Sequence, residues 1–548
     1  MRKKLLEIKI LRIWSKKAIH TSLVTIGVFL LIIVSIVIYQ TIHLELLSGN
    51  KQTSVKELSE HEKIDDFKYL TRFVRDVYPY NDAIVKYMGL EDIQSLESEY
   101  INKAKQTKNN SDFFKLVFEY TQRLKQGSGH NDIYFGQYGP QNNSAFHSYV
   151  YNIKRSSYFK TDYWGNEASK FKWYAFSDAL VVYKNGQYVL GKAYKLNEIT
   201  LPEGTIIKSI DGVQTDDYVK SLQNKTRLLY DEVLNKNFVS NLFQIDSKSE
   251  LNEWNVEFQL ENGIMYNGKL KKYNQTNNYK ESLNPQNYPN VVCRELLDNV
   301  GYIKIFSFGA QHISNDNEIL QEFMKNSKGK YEKLIIDIRG NTGGELNYWS
   351  DNLVQPLLKE PKTYVQISAV KKGFFDWMGI RYYAFRWWIS NDSLQKNVQH
   401  IVNVEKTEIE ELDNKEWDVY KITKRFLPKN SFPFDGKVFI LADRETFSAA
   451  DSFAAAAKDL KLGQLVGTNT GGAGDVFMSP IDICLPNSQI IMRMDVELNF
   501  NDKGQPNHIC GTIPNVELEP SSYPTYNPVS LELKDLLQDT WINWVIKN

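Results

Sequence analysis

Cysteine is scarce in this chain, with three in 548 residues, at Cys293, Cys484 and Cys510. So few exclude a disulfide-stapled scaffold, and their spacing excludes a cysteine-based metal site. Outside the cytoplasm, Cys484 and Cys510 would be able to pair; buried free thiols are the equal alternative. An excess of one charge is also missing: Lys+Arg and Asp+Glu both number 66. Nothing in that balance points to a nucleic-acid partner. There is no low-complexity tract and no repeat at solenoid or propeller periods, which excludes those architectures. Histidine is nearly as scarce, with eight residues, so the choice of a base is short. A long charge-free apolar run occurs only once.

That run is residues 21–39, TSLVTIGVFLLIIVSIVIY. At about 1.5 Å per residue, a helix of this length nearly matches a hydrocarbon core of about 30 Å. Residues 1–20 carry seven Lys or Arg, and residues 41–60 carry two. The asymmetry predicts a cytoplasmic tail at 1–20, a transmembrane anchor at 21–40, a tether at 41–60 and an extracytoplasmic remainder. No small-x-small cleavage site follows the run, which favours an anchor over a removed signal peptide.

Residues 61–150 are expected to be a helical region that ends in a histidine loop. Phe67, Leu70, Phe73 and Val74, then Phe113, Phe114, Val117 and Leu124, recur at helical spacing. The loop reads Gln126-Gly-Ser-Gly-His130-Asn131 and runs into a short apolar strand. His20, His43 and His61 lie near the apolar run or the tether, and His147, His312 and His400 have no suggestive context. His130 is therefore the first candidate for a general base, with His508 the other histidine in an informative setting.

Residues 172–273 read as short strands and turns. Gly204, Ile207, Ile210 and Gly212 match a G-x-x-I-x-x-I-x-G pattern, and the Asp211-Gly212 turn is a hairpin signal. This span resembles a PDZ domain, which implies a β module that takes extended peptide ends along an open edge. A purely structural β module is the alternative.

Residues 295–525 hold the chemical candidates. Lys333-Leu-Ile-Ile-Asp337-Ile-Arg339-Gly-Asn341-Thr-Gly343-Gly344 reads as a buried strand that runs into a glycine-rich turn, where backbone N–H groups can face a ligand. An insertion at 361–430 is rich in aromatics, including Phe374, Phe375, Trp377, Trp387 and Trp388. It reads as an amphipathic hairpin packed on the core, or else as a lid at an interface. Then Val438-Phe-Ile-Leu-Ala442, a polar turn, Ser448 and an Ala-rich helical run follow. A serine at that strand-to-helix turn either caps the helix or serves as a nucleophile beside free N–H groups. The tail from 495 to 520 reads as strand–turn–strand, and 526–548 as a closing helix.

Taken in order, the DIRGNTGG strand end, the SAAD turn at Ser448–Asp451 and the later Thr-Gly-Gly turn resemble the carboxy-terminal processing and tricorn-core serine peptidases. The resemblance implies an α/β fold with a Clp/crotonase-like spiral core, Ser448 as nucleophile, and an oxyanion hole from Ala449 with Gly343 or Gly344. One branch of that family takes its base from a lysine in a G-K-G turn; here the position is Ala473. The other takes a histidine from an upstream G-H-T loop, matched by Gly129-His130-Asn131, with Ser128 at a helper position. That branch orients the base through a glutamate where this chain has His508. The orienting group then falls to Glu497, Asp475 or His508 itself, or the site is less activated.

The expected function is a membrane-anchored serine endopeptidase acting on peptides or proteins, with no metal or cofactor implied. A catalytically weak or inactive protein on the same fold, binding peptides or apolar ligands, is the alternative. A crotonase-type acyl-CoA enzyme fits poorly with an extracytoplasmic location and the SAAD turn.

Overall fold

The computed structural model describes residues 54–134, 157–158, 160–171, 173–174, 177–243, 245–246, 251–272, 289–373, 400–410, 412–429, 434–474, 480–518 and 531–548. The apolar run at 21–39 lies outside these residues, and so do the aromatics from Phe374 to Trp388 and Asp475. Among the described residues, no helix is long and apolar enough to cross a membrane.

A six-stranded sheet organises the chain. In spatial order its strands are Val291–Leu297, Val300–Ile305, Lys333–Asp337, Lys437–Ala442, Gln464–Gly467 and Val516–Glu517. The last five pair in parallel, and the first is antiparallel at one edge. Parallel strands covered on both faces must be apolar throughout, and Val300–Ile305 is buried at every position. Alternation then sorts the side chains. Leu334, Ile336, Val438 and Ile440 face a layer that includes Leu320, Trp349 and the Ala-rich helix Ala449–Asp459. Ile335, Phe439 and Leu441 face Trp541, Ile542 and Val545 of the helix Thr540–Lys547.

Before this core come the helices Glu60–Val77, Asn81–Met88, Glu97–Gln106 and Asn110–Lys125. Ser59 and Glu62 close a capping box on the first of them. Next comes an antiparallel sheet ordered Met265–Lys271, Glu253–Gln259, Ile206–Ile210, Gln187–Leu190 and Val181–Lys184, beside the short helix Thr215–Ser221. Within the insertion, Lys362–Lys371, His400–Thr407 and Trp417–Phe426 form an antiparallel sheet that also takes in Leu498–Asn499.

One expectation is corrected and one pair of alternatives is decided. The tail is not strand–turn–strand: Leu498–Asn499 is followed by a four-residue helix, Asn507–Cys510, and only then by the strand Val516–Glu517. Pro506 precedes that helix, and Gly511 stops it at φ 69°. Cys484 and Cys510 are both free and buried, as the second alternative had it.

Candidate active site

Ser448 lies between the strand Lys437–Ala442 and the helix Ala449–Asp459 with φ 56° and ψ −124°. A non-glycine residue at positive φ stores strain, and local bonds hold it there. Asp443 Oδ1 accepts from the Gly340, Glu445 and Thr446 N–H groups at 2.9, 3.1 and 3.0 Å. The Ser448 N–H donates to the Gly472 carbonyl at 2.9 Å. The Ser448 side chain makes no capping bond to its helix, so it is not spent as a cap.

The Ser448 hydroxyl instead meets His130, whose Nε2 is 2.9 Å from Oγ. The loop is brought there by sheet pairing. Residues Asp132–Ile133 pair with Met492 and Arg493 in the strand Ile491–Met494. The same pairing sets Asp495 beside the loop, with Oδ2 3.2 Å from His130 Nδ1. The Ser128 hydroxyl donates to the same oxygen, and the His130 N–H donates to Ser128 Oγ at 3.3 Å. The Asn131 side chain fixes the Asp495 backbone, accepting from its N–H at 2.8 Å. Burial pushes the Asp495 carboxyl up. The charge and hydrogen bond of His130, with His508 and Ser128, outweigh burial and bring it down to about 2. Asp495 is therefore an anion at neutral pH.

Asp495 was not singled out from the sequence. Glu497, a candidate for its place, turns the other way: its Oε1 accepts from Ser368 and from Asn499. Asp475 lies outside the described residues. His508 is at the site but does not bond to His130. Its Nε2 is 3.6 Å from Asp495 Oδ2, and the two imidazole centroids are 6.2 Å apart. Burial, with His130 and Arg227 nearby, pushes its imidazole down to about 3 against the pull of Asp495. Ala473 is buried at φ 61° and supplies no base.

The glycine-rich turn closes over Ser448. A Cβ on Gly343, which has φ 97°, would stand 2.8 Å from both the Ala449 nitrogen and Ser448 Cβ. Only glycine leaves room above the Ala449 N–H. The Gly343 N–H itself donates to Asn341 Oδ1 at 2.9 Å. Gly344 is held by the neighbouring Phe308 pairing, in which Gly343 O and the Glu345 N–H are the bonded groups. Of the two glycines, then, the Gly344 N–H is the one not spent in these bonds. Beside the serine, a cavity of about 420 Å³ is lined by Gly129, Arg227, Ser240, Thr342, Glu445 and Phe447, among others.

A hydroxyl against an imidazole that itself rests on a buried carboxylate is the arrangement used by serine hydrolases. Residues 299–518 match the model of peptidase family S41, and this span is a serine peptidase region of that family. The matched span holds Ser448, the glycine turn and Asp495, whereas His130 and Ser128 come from the helical region before it. No curated protein matches the chain. Among solved structures, mature CPAF is similar, with a TM-score of 0.52 at 14% identity over 88% of this chain and 98% of that one. Mature CPAF complexed with lactacystin gives 0.51 at 14% identity over 88% and 99%. At that identity the likeness is one of fold, and its coverage takes it beyond the matched span.

Proposed function

We propose that the chain is a serine endopeptidase in which Ser448 attacks a peptide carbonyl and His130 is the general base. The observation that carries this is the 2.9 Å contact between His130 Nε2 and Ser448 Oγ. In the forward step, Nε2 takes the Oγ proton as the Oγ–C bond forms. Asp495 stabilises the resulting imidazolium, and the oxyanion is held by the Ala449 N–H with that of Gly344. The imidazolium then returns its proton to the leaving amine, and water repeats the cycle on the acyl-enzyme. Ser128 holds the Asp495 carboxylate in place.

Asp495 also bears on the alternative of an inactive binding protein. That reading was motivated by a histidine at position 508 where an acid was expected, and Asp495 supplies an acid at the base from just past the strand Ile491–Met494. The cavity beside Ser448 suits a side chain of a peptide substrate. The antiparallel sheet at residues 181–271, with one short helix, supports a PDZ-like role in holding extended peptide. The apolar run at 21–39 and its basic flank support a membrane anchor with the peptidase outside.

The test is a fluorophosphonate probe together with a peptide library. The wild-type chain is expected to label at Ser448 and to cleave, whereas Ser448→Ala and His130→Ala should do neither while keeping their unfolding temperature. Turnover retained in Ser448→Ala would rule the assignment out.

A further inference from the structure

We propose that His130, Asp495 and His508 form a binding site for a divalent transition-metal ion of the Zn²⁺ class, and that an ion held there blocks the peptidase. The inhibition rests on the function proposed above; the binding does not.

The geometry comes first. Asp495 Oδ2 is 3.2 Å from His130 Nδ1 and 3.6 Å from His508 Nε2. One ligand atom from each residue lies within 4.8 Å of the others. A tetrahedral zinc ion with nitrogen and oxygen ligands at about 2.0–2.2 Å puts adjacent ligand atoms about 3.3–3.6 Å apart. Two separations are already close to that edge length, and the third requires the two imidazoles to approach. His130 can supply the movement, because its side chain is 15% exposed while those of Asp495 and His508 are 2% and 0% exposed.

The second observation is independent of spacing. Both ring nitrogens of His508 are buried and lack a hydrogen-bond partner among the described residues. A buried polar group without a partner calls for an explanation, and a lone pair kept for a cation provides one. Two imidazoles and a carboxylate suit zinc. The Ser128 hydroxyl on Asp495 is the kind of outer bond that orients a carboxylate ligand.

The consequence for turnover follows from which nitrogen is used. An ion on His130 Nδ1 takes the lone pair of that nitrogen, so the ring proton moves from Nδ1 to Nε2 and Nε2 can no longer accept the Ser448 proton. Ser448 then keeps its proton. No atom of Ser448 is needed as a ligand, so binding can be measured without catalysis.

The experiment uses the Ser448→Ala chain, titrated with Zn²⁺ by calorimetry and with Co²⁺ by visible absorbance. One ion per chain is expected, with the absorption bands of tetrahedral Co²⁺. His508→Gln and Asp495→Asn in that background should each weaken binding by about 10–100-fold or more. Unfolding temperatures establish that the variants fold, and two variants are used so that one misfolding leaves the other as the test. No saturable binding, or equal affinity in both folded variants, would overturn the site. In the wild-type chain, Zn²⁺ should lower kcat and a chelator should restore it. Binding that leaves turnover intact would overturn the inhibitory role. A metal-free wild type with no turnover would count against the peptidase reading and not against the site.

Discussion

Asp495 Oδ2 lies 3.2 Å from His130 Nδ1, across 365 residues of sequence. The contact exists because Asp132–Ile133 pairs with the strand that ends one residue before Asp495. Asp495→Asn preserves the shape but removes the charge that stabilises the imidazolium and selects its tautomer. A loss of about 10⁴ in kcat is expected, by analogy with the same change in a Ser-His-Asp triad. Steady-state kinetics on a chain shown to be folded checks it, and a loss under tenfold would mean another group orients His130.

Gly343 leaves the space above the Ala449 N–H open, since a Cβ there would meet that nitrogen at 2.8 Å. Gly343→Ala is expected to lower kcat by about 10²–10³, the usual cost of one oxyanion donor. KM should change much less, because the donor acts on charge that appears only in the transition state. A change confined to KM would place Gly343 in substrate binding instead.

The Ser448 turn was legible because its signals are local: an apolar run, a polar turn and an Ala-rich stretch in sequence order. His130 was legible through scarcity, with few histidines and only one in a glycine-flanked loop ahead of a strand. Asp495 was not. It and Glu497 are alike in chemistry and two residues apart, hence on the same side of an extended chain. What separates them is long-range: strand pairing brings Asp495 to the histidine loop, and Glu497 is turned to Ser368 and Asn499. The helix Asn507–Cys510 was misread as strand because four residues are too few to show a helical period.

Asp337 makes the fold sensitive to acid. Burial pushes its carboxyl up, but the Arg339 and Lys304 charges, with hydrogen bonds from Arg339, outweigh it and hold the group below the usual carboxylate range. A folded-state value below the unfolded one of about 3.9 gives stability that is present above that pH and lost as pH falls toward the folded value. Asp337→Asn should cost about 3–5 kcal/mol at pH 7, as for other broken buried pairs, and the gap to wild type should narrow below about pH 4. Denaturant unfolding at several pH values checks this, and a gap independent of pH would show that Asp337 acts through packing alone.

Asp451 ties the helix Ala449–Asp459 to the turn that follows it. Its carboxylate accepts from Thr470 Oγ1 at 2.5 Å, Thr512 Oγ1 at 2.6 Å and the Gly474 N–H at 2.9 Å. Thr470 and Gly474 belong to the turn that also holds the Ser448 N–H through Gly472, and Thr512 follows the helix Asn507–Cys510. Removing the acceptor leaves buried donors unpaired, at about 1–3 kcal/mol each. Asp451→Ala is therefore expected to cost about 3 kcal/mol or more in unfolding free energy. It should also lower kcat, because the strained Ser448 backbone loses one of its restraints. Asp451→Asn, which keeps an acceptor oxygen for some of the same donors, should recover part of both. If Asp451→Ala lost activity with its stability unchanged, the residue would belong to the chemistry rather than to the scaffold that holds Ser448.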